Sequence, residues 1–209
     1  TQIVVVAGAG GPGLGDIRVF SPSFGETVRS NAFAYTKSSQ TITFPAVAPV
    51  AVGGSVGLSA TTSNGLPVSF AVVSGSGSIT GGTNLSGTAF GNIQVVASQD
   101  GDSTWAAAVP VTNVVTVYAL SAGSGPDAGG NTITITNGGF GAVTNVLVGG
   151  VAGTIQSSGA TWVTITVPVT GASGVQDVVI QTSDNGDVTL AGAYTVNLAG
   201  VIGSSTPWD

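Results

Sequence analysis

The stretch GPDAGGNTITITNGGFGAVTNVLVGGVAGT (Gly125–Thr154) decides the fold class. Paired glycines at Gly129–Gly130 turn the chain into an alternating Thr/Ile run, Thr132–Thr136. Strict alternation over five residues reads as a half-buried strand, one face apolar and one face hydroxyl. Gly138–Gly141 then makes a wide turn. A second apolar run, Asn145–Val148, ends at Gly149–Gly150, where a tight hairpin needs positive φ at both central residues.

Outward from this stretch the grammar stays the same. Runs of four to nine residues rich in Val, Ile and Thr recur at Gln2–Ala7, Asp16–Phe20, Thr41–Phe44, Ser55–Ala60, Val68–Val73, Asn92–Ser98, Asn113–Tyr118, Thr161–Val167, Gln176–Gln181 and Val188–Val196. Gly, Pro, Asn and Asp punctuate them at sandwich-like intervals. The 34 glycines each weaken a helix by about 1 kcal/mol relative to Ala. Only Ser103–Ala108 has the makings of a short helical turn. The expectation is an all-β chain of two tandem Ig-like β-sandwiches with a β-rich N-terminal arm. Four segments separate: an arm (1–39), two segments near 80 residues each (40–118 and 119–197), and a C-terminal tail (198–209).

The chain is chemically sparse. Its 209 residues include no His, Cys or Met and only three basic side chains, Arg18, Arg29 and Lys37. That removes the imidazole base, the thiolate or imidazole metal ligand, the Ser–His pair and a phosphate clamp beyond Lys37. Glu26 and eight Asp remain, none in a catalytic motif. The expectation is a protein that is not an enzyme and takes no cofactor. A net charge of −6 argues against nucleic acid. No apolar run is long enough to span a membrane. The chain begins at Thr1, which is expected of a processed product or a segment whose export signal is gone.

Charged residues make up 6% of the chain, against about 25% in ordinary soluble domains. Such a surface resists association poorly. The few charges are also segregated: residues 1–39 carry all three cations and two anions, while the rest carries seven anions. A net-positive arm beside a net-negative body favours contact between them, within one molecule or head to tail between copies. A head-to-tail contact that does not close makes a filament. The residues expected at such a contact are Ile3, Val4, Val5 and Val6, as a strand added to a neighbour's open edge, with Arg18, Arg29, Lys37 and Trp208.

Three further candidates have blander readings. Asp100 with Asp102, and Asp184 with Asp187, offer oxygen ligands to Ca²⁺, but neither stretch has the spacing of a dedicated loop; Asp and Asn also initiate turns. Trp105, Trp162 and Trp208, with Tyr35, Tyr118 and Tyr194, offer a sugar-stacking surface, although a sandwich tryptophan more often fills the core. Asn84-Leu85-Ser86 is a glycosylation sequon.

Three resemblances follow from quoted residues. GPDAGGNTITITNGGFG, VLVGGVAGT (Val146–Thr154), ITVPV (Ile165–Val169), VVIQTSDNG (Val178–Gly186) and LAGAYTV (Leu190–Val196) together resemble an IPT/TIG domain, an Ig-like fold. QTITFP (Gln40–Pro45), LSATTSNGLPVSF (Leu58–Phe70) and VVASQDGDSTWAAA (Val95–Ala108) resemble a bacterial Ig-like repeat of large secreted adhesins. In that pattern Asn64-Gly65 makes a turn and Trp105 plugs the core. IVVVAGAGGPG (Ile3–Gly13) and IRVFSPSFGETVRSNAFAY (Ile17–Tyr35) resemble one blade of an FG-GAP-like propeller, without its calcium loop. These resemblances imply a secreted, cell-surface location. They imply a structural or adhesive role, and the low, segregated charge adds the expectation of a self-assembling filament or sheath subunit. The alternative is an adhesin module that binds glycan or protein, with the sandwiches as spacers.

Overall fold

The computed structural model describes residues 4, 10–137 and 139–198. Among them every regular element is a strand. β1 (Gly13–Ser21) and β2 (Gly25–Tyr35) come first. Nine strands follow: β3 (Ile42–Thr43), β4 (Val50–Ala51), β5 (Ser55–Gly57), β6 (Thr61–Thr62), β7 (Ser69–Ser74), β8 (Gly77–Thr80), β9 (Asn84–Gly87), β10 (Gly91–Ser98) and β11 (Val111–Leu120). The last eight are β12 (Ser124–Pro126), β13 (Thr132–Thr136), β14 (Val143–Val148), β15 (Val151–Ala152), β16 (Thr154–Gly159), β17 (Trp162–Thr166), β18 (Gly174–Thr182) and β19 (Val188–Asn197).

The described chain forms two compact units. One draws on Thr1–Pro45, Ser59–Ser69 and Ala97–Val111; the other draws on Ala46–Leu58, Phe70–Val96 and the chain from Thr112 onward.

In the larger unit, strand order identifies the architecture. One sheet runs β16-β17-β13-β11, and a second runs β12-β19-β18-β14-β15. β12 lies parallel to β19, and the other pairings of that second sheet are antiparallel. In immunoglobulin lettering these are A-B-E-D and A′-G-F-C-C′, the two sheets of an Ig-like sandwich. The pattern repeats earlier in the chain. β11-β10-β7 with β4 parallel to β11 gives A′-G-F-C, and β5-β9-β8 gives B-E-D. β11 serves both: its end pairs Ala119 with Thr136 and Leu120 with Ile135 of β13.

Alternation explains why these residues form these sheets. Ile133, Ile135, Val163 and Ile165 point inward from one sheet and are fully buried, as are Val146, Val148, Val178, Ile180, Leu190 and Tyr194 of the other. Leu85, Ile93, Val95, Val115 and Val117 form the equivalent buried set upstream. Burial of one such aliphatic side chain contributes roughly 1.5–3 kcal/mol. Gly149 (φ 57°) and Gly150 (φ 82°) join β14 to β15 as a two-residue loop, both with the positive φ the tight hairpin requires.

In the smaller unit β1 and β2 form an antiparallel ribbon, and β3 pairs with β6. Ile42, Phe44, Ala97 and Ala108 are buried. The side-chain amide of the buried Gln40 donates to Gln99 Oε1 and, at 2.7 Å, to the carbonyl of Ala106. The expected turn at Asn64-Gly65 is present, with Asn64 Oδ1 accepting from the Leu66 amide at 3.2 Å. The helical turn expected at Ser103–Ala108 is absent. Asp102 Oδ1 takes the amides of Thr104 (2.7 Å) and Trp105 (2.8 Å), and Ser38 bridges Trp105 in parallel. The Thr104 carbonyl accepts from the Ser38 amide and the Ala106 amide donates to the Ser38 carbonyl, each at 2.9 Å, so these backbone groups are committed to a strand-like bridge. Trp105 is half-buried rather than a plug in the core.

Candidate functional site

The ribbon is the most exposed apolar feature of the described chain. Its loop is three residues long, Pro22-Ser23-Phe24, closed by the Phe24 amide donating to the Ser21 carbonyl at 3.3 Å. Pro suits the second position of such a turn. Register pairs Ile17 with Arg29, Arg18 with Val28, Val19 with Thr27 and Phe20 with Glu26. Opposite residues share a face. One face therefore carries Ile17, Val19, Thr27 and Arg29, and the other carries Arg18, Phe20, Glu26 and Val28. An irregularity lies at Asp16, whose carboxylate accepts from the Asn31 amide at 3.0 Å. Asn31 takes a positive φ of 53° there.

Neither face is covered in the described structure. Leu14 is 68% exposed, Phe20 75% and Phe24 92%, and Ile17, Val19 and Val28 are each more than 40% exposed. Arg18 bonds Glu26 at 3.2 Å across the second face, an exposed pair of a kind that contributes little. A two-stranded hairpin alone in water is at best marginally stable.

The other expected contact residues scatter. Ile3, Val5, Val6 and Trp208 lie outside the described residues. Val4 is 80% exposed and belongs to no strand. Arg29 and Lys37 are exposed. Lys37 acts electrostatically on Asp102, whose carboxyl is held below its ordinary value first by the Trp105 and Thr104 amides and only then by that ammonium.

Of the acidic pairs, Asp100 is exposed, and the other three acids accept hydrogen bonds. Asp102 anchors the turn described above. Asp184 Oδ1 accepts from the Ala142 amide at 3.0 Å, and Asp187 Oδ2 accepts from Gln181 Nε2 at 3.2 Å. Among the described residues no three acidic groups converge as a metal would need. Asn84 is exposed at the start of β9, opposite Gly57 and Thr80. No helix of the described chain is long and apolar enough to cross a membrane. An open cleft of about 460 Å³ lies where β11 passes from one sandwich to the next, lined by Val52, Tyr118, Leu120, Gly123 and Ala193 among others. Burial raises the Tyr118 phenol above its ordinary value.

The sequence reading did not anticipate β2, and so missed the ribbon. The signal available was the loop SPSFG, a Pro-x-x-Gly turn directly after the run Asp16–Phe20.

No family model and no curated protein matches this chain. Solved structures that resemble it do so remotely. One is the Bacteroides ovatus mixed-linkage glucan utilization locus protein SGBP-B in complex with a mixed-linkage heptasaccharide. It is 16% identical, with 78% of this chain and 48% of that chain covered and a TM-score of 0.26. Another is the full extracellular region of Plexin A4, 15% identical, covering 86% of this chain and 17% of that one, at a TM-score of 0.36. The tandem Ig repeats of Dlar are 13% identical over 77% of this chain and 97% of that one, at 0.26. The chain thus spans less than half of the first two. At these scores the Ig-like assignment rests on the strand order above.

Proposed function

We propose that this chain is an extracellular structural or adhesive surface protein, non-catalytic, whose copies associate head to tail into a filament or sheath. The observation that carries this reading is the ribbon, which among the described residues exposes apolar side chains on both faces and carries two of the chain's three cations. The ribbon is neutral overall, Arg18 and Arg29 against Asp16 and Glu26, and Lys37 makes residues 1–39 net positive, whereas the body from Ser38 onward carries acids only, so one copy's N-terminal segment complements another copy's body in charge. Burial of exposed apolar side chains drives association, and the low charge of the surface leaves little to oppose it. The sequence motifs of 119–197, set on A-B-E-D and A′-G-F-C-C′ sheets, support a sandwich of the IPT/TIG kind.

Sedimentation velocity across protein concentration and ionic strength tests the reading, with electron micrographs of the native material. Association that rises with concentration, weakens with salt and falls in the Phe20→Ser, Phe24→Ser double variant is expected. A chain that stays monomeric throughout overturns the assembly.

A further inference from the structure

β13, β17 and β16 present an outer face on which the register builds a grid. Thr132 stands beside Thr166 and Thr154, Thr134 beside Thr164 and Ser157, and Thr136 beside Trp162 and Gly159. The inward residues between them, Ile133, Ile135, Val163 and Ile165, are fully buried. The pleat therefore turns every residue of the grid outward. Seven of the nine positions are hydroxyls, one is an indole and one is the glycine beside it. No charged residue occurs in any of the three strands.

The indole and the glycine work together. A Cβ on Gly159 would meet Trp162 at Nε1 (2.7 Å), Cε2 (3.0 Å) and Cδ1 (3.3 Å). Three atoms of the five-membered ring at such similar distances mean that the ring lies over Gly159 and is not turned on edge. The bare backbone gives it a seat. Trp162 nonetheless remains 38% exposed, so it is neither a core residue nor a free rotor. The hydroxyls are ordered too: Thr134 and Thr164 share a bond of 2.9 Å, and Gln156 Nε2 donates to Thr166 Oγ1 at 2.9 Å.

We propose that this face is a binding platform for a neutral polysaccharide, with one sugar ring stacked on Trp162 and further rings bonded by the threonine rows. Sugar rings present C–H groups to an aromatic face and hydroxyls at their rim. A seated indole bordered by hydroxyls offers both kinds of contact. Neighbouring strands stand about 4.8 Å apart, close to the length of one pyranose unit in an extended chain, so successive sugars crossing the strands meet successive hydroxyls. The lack of charge selects against uronic acids and sulfated chains: nothing on the face neutralises them, and the body is acidic. The platform shares no residue with the ribbon, so its failure leaves the assembly reading untouched.

Affinity electrophoresis and titration calorimetry of the full chain against hydroxyethyl cellulose, galactomannan, dextran and alginate test the proposal. At least one neutral polymer is expected to bind and alginate is not. Trp162→Ala is expected to raise Kd at least tenfold. Trp162→Phe keeps part of the affinity, and Trp105→Ala keeps all of it. Thr164→Val leaves the aromatic in place and is expected to weaken binding several-fold, which keeps the test open if Trp162→Ala misfolds by circular dichroism. No binding to any neutral polymer, equal binding of alginate, or unchanged affinity in folded Trp162 and Thr164 variants overturns it.

Discussion

Tyr194→Phe isolates one buried polar contact in the second sandwich. Tyr194 lies on β19 and is fully buried. Its hydroxyl donates to Asn131 Oδ1 at 3.2 Å and accepts from Asn131 Nδ2 at 2.8 Å. Asn131 immediately precedes β13, so the pair ties one sheet to the other. Phenylalanine keeps the ring packing and removes only the oxygen. Each hydrogen bond contributes about 1 kcal/mol net, and a buried amide left unpaired costs about 1–3 kcal/mol. Asn131 is only half-buried, and water satisfies part of it in the variant. The expected loss is therefore about 2 kcal/mol. In urea, with a slope of about 1–3 kcal/mol per molar, the midpoint falls by about 1 M at unchanged slope. Asn131→Ala alone should lose a similar amount, and the double variant little more, because both remove the same pair. Stability within about 0.5 kcal/mol of the parent, or simple additivity of the two single losses, would refute the reasoning.

Three other outcomes follow from the same coordinates. Gly150→Ala should cost about 1–2 kcal/mol by thermal melting, purely from the backbone: its φ is 82° and nothing lies within 4 Å of an added Cβ. Leu85→Ala, at a side chain with no exposure, should cost about 2–5 kcal/mol in urea unfolding, because the cavity it opens lies between sheets that cannot collapse onto it. Asp102 has a folded pKa below its ordinary 3.8, so its stabilising effect is complete above that value and is lost as pH falls through the lower folded one. The gap in melting temperature between the parent and Asp102→Ala should thus be widest near neutrality and narrow below pH 3.8; a gap that widens on acidification would contradict it.

Legibility in the sequence followed burial. Thr132–Thr136 was expected as a strand and is one, because its Ile residues face the core and its Thr residues do not. β8 and β9 escaped notice. GSIT and NLSG hold only Ile79 and Leu85 as large apolar residues, too few to show a period, and they become strands by pairing with each other and with β5. β2 failed for the opposite reason. GETVRSNAFAY exposes both faces, so no apolar alternation marks it. β16 is a polar edge, TIQSSG. For the sites, a tryptophan at position 162 is plain to read, but the glycine beneath it is three residues away in sequence and opposite only by register. The acid pairs were legible as turn formers, since Asp and Asn beside Gly carry that chemistry locally. Their use on the amides of Thr104, Trp105 and Ala142 required the folded chain.

The strand common to both sandwiches has a mechanical meaning. β11 enters as the G strand of one and leaves as the A strand of the next, with no spacer residue between the two roles. Tandem domains joined by a flexible link move against each other by default. Here tension on one module passes straight along a backbone already bonded into the sheets of both. Nothing in that passage can pay out as slack before a ladder of hydrogen bonds is loaded along its length. Two modules joined this way transmit a pull instead of absorbing it.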